Sequence, residues 1–221
     1  MKRTLSLILT ALLCTLTIPA CGEAEPQNAV YVTIANGDLM LAYDAVELSD
    51  ADGDGALTVN DALYLAHEEN YDGGAEAGYA NETTDYGLSL AKLWGTDNGG
   101  SFGYLVNNVS SMSLTDPVAV GDHVVAYAYT DLAAWSDSYC FFDVTEAAAG
   151  EITLTLTMNG YDEAWNAITL PVEGAIITID GAATDYVTDA DGKVTLTAKK
   201  GVVISAKSDT MTLVPPVCIV K

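Results

Sequence analysis

Positive charge is scarce in this chain. Its 221 residues carry eight Lys and Arg against 31 Asp and Glu, for a formal net charge of −23. Phosphate binding needs clustered basic side chains, so a nucleic-acid partner is excluded. Cysteine is also sparse, at four residues, and no Cys-x-x-Cys pair occurs. That removes the usual signature of a redox dithiol or a structural zinc site. Also missing are Gly-x-Ser-x-Gly, His-Glu-x-x-His, a P-loop and the dinucleotide-binding glycine fingerprint. Acidic residues are frequent enough for a glycosidase-like pair to arise by chance, and no pair stands out. The chain therefore reads as a non-enzyme. Low charge content, 18%, with half the residues hydrophobic, excludes a disordered acidic tail. The length suits one or two small domains.

Residues 1–20 read as an export signal. Lys2 and Arg3 precede an uncharged apolar run from Leu5 to Ile18. The run is too short to span a membrane comfortably, and Pro19 ends it. In Ile18-Pro19-Ala20-Cys21-Gly22, a small residue directly precedes a cysteine and a branched apolar residue lies three before it. This resembles the lipobox of bacterial lipoproteins. The resemblance implies a diacylglycerol on Cys21, a mature chain beginning there, and a cell-envelope, extracytoplasmic location. The plain alternative is a signal peptide cut after Ala20. Loss of Lys2 and Arg3 takes the balance from −23 to −25. So acidic a surface repels anionic head groups and attracts divalent cations. Residues 21–29 read as a tether behind the anchor.

Beyond the tether, spacing predicts a mainly β chain in two units. The first, 30–148, is α+β with one or two short helices. Ala29 to Asn36 and Leu39 to Leu48 alternate as strands about an Asn36-Gly37 turn. Val59, Ala62, Leu63 and Ala66 share one helical stripe within a helix over 60–69. Residues 70–85, rich in Gly, Ala, Asn and Thr, read as a loop. Leu88 to Trp94, Gly103 to Asn107 and His123 to Thr130 read as strands. The second unit, 149–221, reads as an all-β sandwich, since Ile152, Leu154, Leu156 and Met158 alternate with polar residues and further strands follow Asp-Gly turns. Cys140 and Cys218 fit either a disulfide or two buried thiols.

The sharpest motif runs from Asp50 to Asp61 (DADGDGALTVND). It matches the twelve-position calcium loop of EF-hand type. Asp50, Asp52 and Asp54 hold positions 1, 3 and 5, because alternate side chains point inward around an ion. Gly55 permits the sharp turn at position 6. Ala56 offers its carbonyl, Leu57 an anchor to the core, Thr58 a direct or water-mediated contact, and Asp61 the closing carboxylate. Four carboxylates suit a hard cation, and magnesium fits less well because it needs a tighter octahedral shell. Thr58 and Asp61 also have capping-box spacing. The loop resembles those of dockerin modules, in which Asp at the last position is common. Dockerins carry two loops; here there is one, preceded by a strand.

Tyr86-Gly87-Leu88 to Trp94-Gly95, Phe102-Gly103-Tyr104-Leu105-Val106-Asn107-Asn108 and Asp116-Pro117-Val118-Ala119-Val120-Gly121-Asp122-His123 resemble transcobalamin C-terminal-like domains of bacterial surface proteins. That resemblance implies a β-grasp-like fold over roughly 30–145, and suggests a corrinoid ligand. Neither His67 nor His123 declares itself a cobalt ligand. Pro171-Val172-Glu173-Gly174-Ala175 and Thr188-Asp189-Ala190-Asp191-Gly192 resemble prealbumin-like or immunoglobulin-like β modules. Trp94, Trp135, Trp165 and the 12 tyrosines supply aromatic surface for a carbohydrate or corrinoid, or else fill cores. The sequence reads as a lipid-anchored, calcium-binding surface protein that acts as a binding or interaction module. Its partner would be a surface protein, a glycan or a small molecule. The alternatives are a corrinoid or small-molecule binding lipoprotein of an uptake system, and an accessory subunit or carbohydrate-active enzyme.

Overall fold

The computed structural model describes residues 27–221. The export signal at 1–20, Cys21 and the first part of the tether lie outside the described residues. The tether ends early, because Asn28 already accepts a bond from the Leu48 N–H and Ala29 opens the first strand.

The fold is mainly β, as the alternation predicts. β1 (Ala29–Asn36) and β2 (Asp38–Glu47) form an antiparallel hairpin about Gly37, whose φ of 72° suits a residue without a Cβ. Then come α1 (Val59–Asn70), α2 (Gly74–Gly78), a hairpin of β3 (Ala80–Thr84) and β4 (Gly87–Lys92), β5 (Phe102–Val106), β6 (Val109–Ser110) and β7 (His123–Ala128). The sheet order is β2-β1-β7-β5-β6, with β1 and β7 parallel at its centre. A hairpin, a helix packed against the sheet and a returning strand parallel to the first make a β-grasp arrangement. Residues 70–85, loop-like by composition, in fact hold α2 and β3; short elements of small and polar residues leave little periodic signal.

β1 is covered on both faces, which explains its nearly continuous apolar run. Val30, Val32 and Ile34 share a core with Val59, Ala62, Leu63 and Ala66 of α1. Ala35 joins a smaller cluster with Leu105, Val125, Tyr127 and Val214.

The second half begins with β8 (Ser138–Phe142) and β9 (Glu146–Ala147). It continues with β10 (Gly150–Tyr161), β11 (Ala167–Pro171), β12 (Ile176–Ile179), β13 (Ala182–Val187), β14 (Lys193–Ala198), β15 (Val203–Lys207), β16 (Leu213–Val214) and β17 (Cys218–Val220). One sheet is ordered β11-β10-β8-β16 with β14 also on β10, and the other β13-β12-β15-β17-β9. Ile152, Leu154 and Leu156 of β10 meet Ile177, Ile204 and Val220 of the other sheet in one core. Sequence spacing places the change of unit at 148–149. The sheets change earlier, between Ala128 and Ser138, because Cys140 and Phe142 turn into the sandwich core and β8 pairs with β10.

Cys140 and Cys218 are free, buried thiols in that core. Cys140 Sγ donates to the Val214 carbonyl at 3.2 Å. Burial pushes the Cys218 thiol up to about 11 and the Cys140 thiol higher still. Both act as small apolar side chains.

Candidate metal centre

The loop from Asp50 to Thr58 joins β2 to α1. Its three aspartates, Asp50, Asp52 and Asp54, are exposed, and their carboxylate oxygens lie within 4.8 Å of one another. The loop's own N–H groups place them. Asp50 Oδ1 accepts from Gly53 at 2.7 Å and Asp54 at 3.2 Å, and Oδ2 from Gly55 at 3.0 Å. Asp52 Oδ1 accepts from Asp54 at 3.1 Å, and Asp54 Oδ1 from Ala56 at 2.8 Å. These are successive Asx turns, which bend the chain around one point. Gly55 sits at φ 90°, and a Cβ there would touch nothing. The glycine is needed for its backbone conformation, not for space.

Three anions this close repel one another. The ion pair of Lys221 Nζ with Glu146 Oε1, at 2.6 Å, lies in the other half of the chain. The donor set is therefore hard, anionic and oxygen-only, which fits calcium.

The other positions of the motif are placed differently. Asp61 is wholly buried and sits below the cluster, at the root of the loop. Its Oδ2 accepts from the Thr58 N–H at 2.9 Å and the Thr58 hydroxyl at 2.8 Å. Its Oδ1 accepts from the Ala51 N–H at 2.8 Å. Thr58 Oγ1 in turn accepts from the Asp61 N–H at 3.4 Å, completing a capping box. Thr58 and Asp61 thus cap α1 and clasp both ends of the loop, while Ala56 is exposed at its rim. Leu57 does not anchor through its side chain, which is 38% exposed. Its carbonyl does so instead, accepting from the Val118 N–H at 2.9 Å.

Asn60 is the residue that spacing alone does not single out. It is buried, and its Nδ2 donates to Asp52 Oδ2 at 3.0 Å. Its Oδ1 accepts from the Tyr79 hydroxyl and from Asn81 Nδ2, each at 2.7 Å. Asp52 is thereby oriented from the core. A polar residue next to the capping aspartate, off the apolar stripe, is the only sequence signal for it.

Removing the clasp has a defined expected cost. Asp61→Ala deletes a cap and leaves the buried Thr58 N–H and hydroxyl without their acceptor, along with the exposed Ala51 N–H, so stability should fall by about 2 kcal/mol. Urea unfolding without calcium measures this, and a loss below about 0.5 kcal/mol would contradict the clasp.

The two histidines are engaged internally. His67 Nδ1 donates to the Leu63 carbonyl at 2.6 Å, and Nε2 accepts from the Trp94 N–H at 2.9 Å. Those partners fix one neutral tautomer and leave no lone pair for a metal. Burial lowers its pKa. His123 is buried beside Thr33 Oγ1, 2.8 Å from its Nε2, and burial pulls it down to about 4. Trp94 packs against His67 and Tyr71 rather than lining an open surface.

The fold and loop together define a mainly β chain with, among the described residues, one candidate cation loop at a strand–helix junction. In comparisons with known proteins, the chain matches no family model, no curated protein and no solved structure.

Proposed function

We propose that this protein is a lipid-anchored, extracytoplasmic binding module whose first half is stapled by one calcium ion. The observation that carries the metal reading is the convergence of the Asp50, Asp52 and Asp54 carboxylates on a loop pinned by Asp61 and Asn60. Asp50, Asp52 and Asp54 would hold the ion from their side chains, with the Ala56 carbonyl at the rim and Asp61 closing the root. The ion supplies charge neutralisation and cross-links β2 to α1. A single loop with a capped outgoing helix fits a structural staple better than a sensor that opens on binding. Titration calorimetry tests this: one site per chain should take up calcium, with magnesium binding more weakly. No heat with calcium would remove the metal.

The anchor reading is supported by the Ile18–Gly22 sequence and has its own test. Intact mass of the mature protein from its native membrane should show a diacylglycerol on Cys21. A mature chain of unmodified mass would leave an ordinary exported protein.

A further inference from the structure

Where the two halves meet, a groove of about 580 Å³ opens on the side of β5 and β7. Its walls are aromatic and come from both sheet systems. Tyr104, Tyr127 and Tyr129 belong to the first half, Trp135 to the connection, and Tyr139 and Tyr161 to the sandwich. Tyr127 and Tyr139 lie nearly parallel, with ring centres 6.3 Å apart and planes 18° apart. The Tyr127 hydroxyl donates to that of Tyr129 at 3.1 Å. Gly103 stands opposite Tyr127 in the ladder, and a Cβ there would come within 2.3 Å of the Tyr127 ring. Glycine at that point lets the ring lie across β5 and form the floor.

Trp135 lines the groove, and Trp165 lies outside the lining beside Tyr161. Trp135 is 65% exposed and Trp165 82%, next to Tyr161 at 66%. Both have positive φ, 52° and 62°, a region that bulky residues rarely adopt. Each is braced: Trp135 Nε1 donates to the Leu132 carbonyl at 3.1 Å, and the Trp165 ring sits 6.1 Å from that of Tyr161. An indole held in water by an unfavourable backbone contributes little to the core. Such local strain clusters at binding sites.

The polar groups between the rings are Ser, Asn and Asp, as at Ser111, Ser136, Asp137 and Asn159. No lysine lines the groove, so an anionic ligand would meet a chain of like charge. Few aliphatic side chains line it, which disfavours a lipid tail. Its volume lies within the range of small-ligand sites and is concave, unlike a broad protein interface. Flat apolar faces beside hydroxyl and amide groups match a pyranose ring, which has a C–H face and a rim of hydroxyls. We infer that this groove binds a neutral glycan strand, its sugar faces stacked on the exposed rings of Trp135 and Tyr161 above the Tyr127–Tyr139 floor. This rests on the binding-module reading but not on the calcium loop, which shares no residue with the groove.

The test uses the mature chain carrying Cys21→Ser, titrated with cellohexaose, xylohexaose, mannohexaose and chitohexaose, in calcium and in chelator. Tryptophan emission and calorimetry are read together. At least one probe should bind with a Kd of about 1 mM or tighter and shift the emission. Trp135→Ala and Tyr161→Ala should each weaken it by about tenfold or more, as aromatic anchors do. Tyr86→Ala, at a side chain 91% exposed and outside the groove, should leave it unchanged. If Trp135→Ala does not fold by circular dichroism, Tyr161→Ala decides. Binding of none of the four sugars overturns the inference, and so does binding that survives both substitutions. Sugar binding that is equal in calcium and in chelator is the expected result, because loop and groove share no residue, and sugar binding that needs calcium overturns that independence.

Discussion

Calcium at about a hundredfold excess over its Kd should stabilise the chelated protein by about 2.7 kcal/mol. Extracellular loops of this type bind at about 10⁻⁴–10⁻³ M, so roughly 10 mM calcium supplies that excess at the tighter end of the range. For a chain of this size the melting temperature should rise by roughly 5–10 °C. If the halves melt separately, the shift belongs to the transition of residues 27–128, because the ion would bridge β2 and α1. Asp50→Ala combined with Asp54→Ala should abolish the gain while costing little in chelator, since both side chains are exposed and mutually repulsive. Scanning calorimetry with and without chelator measures it. Superimposable profiles would sink the staple.

Acid should weaken the protein through His123. Its folded pKa of about 4 lies below the ordinary value of 6.5, because burial disfavours the charged ring. The unfolded chain therefore takes the proton first. The contribution to stability is complete above pH 6.5 and is lost as pH falls towards 4. Its full size is on the order of 3 kcal/mol. His67 is shifted in the same direction. Carboxylates titrate over part of this window, so the decisive quantity is a difference. Stability of the protein minus that of His123→Gln should shrink by roughly 2–3 kcal/mol between pH 7 and pH 4. A difference that is flat with pH would show that the ring is already hydrated. If the variant does not fold, the His123 ring signal in a nuclear magnetic resonance titration should move with a midpoint near 4.

Local alternation made much of the fold readable. β1, β10 and β14 appear where apolar and polar residues alternate, and α1 where four apolar residues share a stripe. What alternation does not carry is partnership at a distance. The parallel pairs β1–β7, β8–β16 and β9–β17 join segments far apart in the chain, and nothing in either segment names its neighbour. β8 carries little periodic signal because its core residues, Cys140 and Phe142, lie among Tyr139 and Phe141. The candidate site was legible in its tip and ambiguous at its root. Thr58 and Asp61 satisfy the spacing of a metal loop and of a capping box at once, and the structure places them in the cap. The aromatic groove was not legible at all, since its walls come from four strands and a turn. Only the fold brings Tyr127 to Tyr139.

The position of β1 has a mechanical side. The strand begins at Ala29, directly after the segment that leaves the described fold, and lies between β2 and β7. Tension applied through that segment runs along the strand axis. The ladders to β2 and β7 lie across this axis, and β7 runs in the same direction as β1. Under such a load their hydrogen bonds are sheared together instead of opening one after another. A chain tethered at this end would resist being pulled from a surface by the strand least able to peel away.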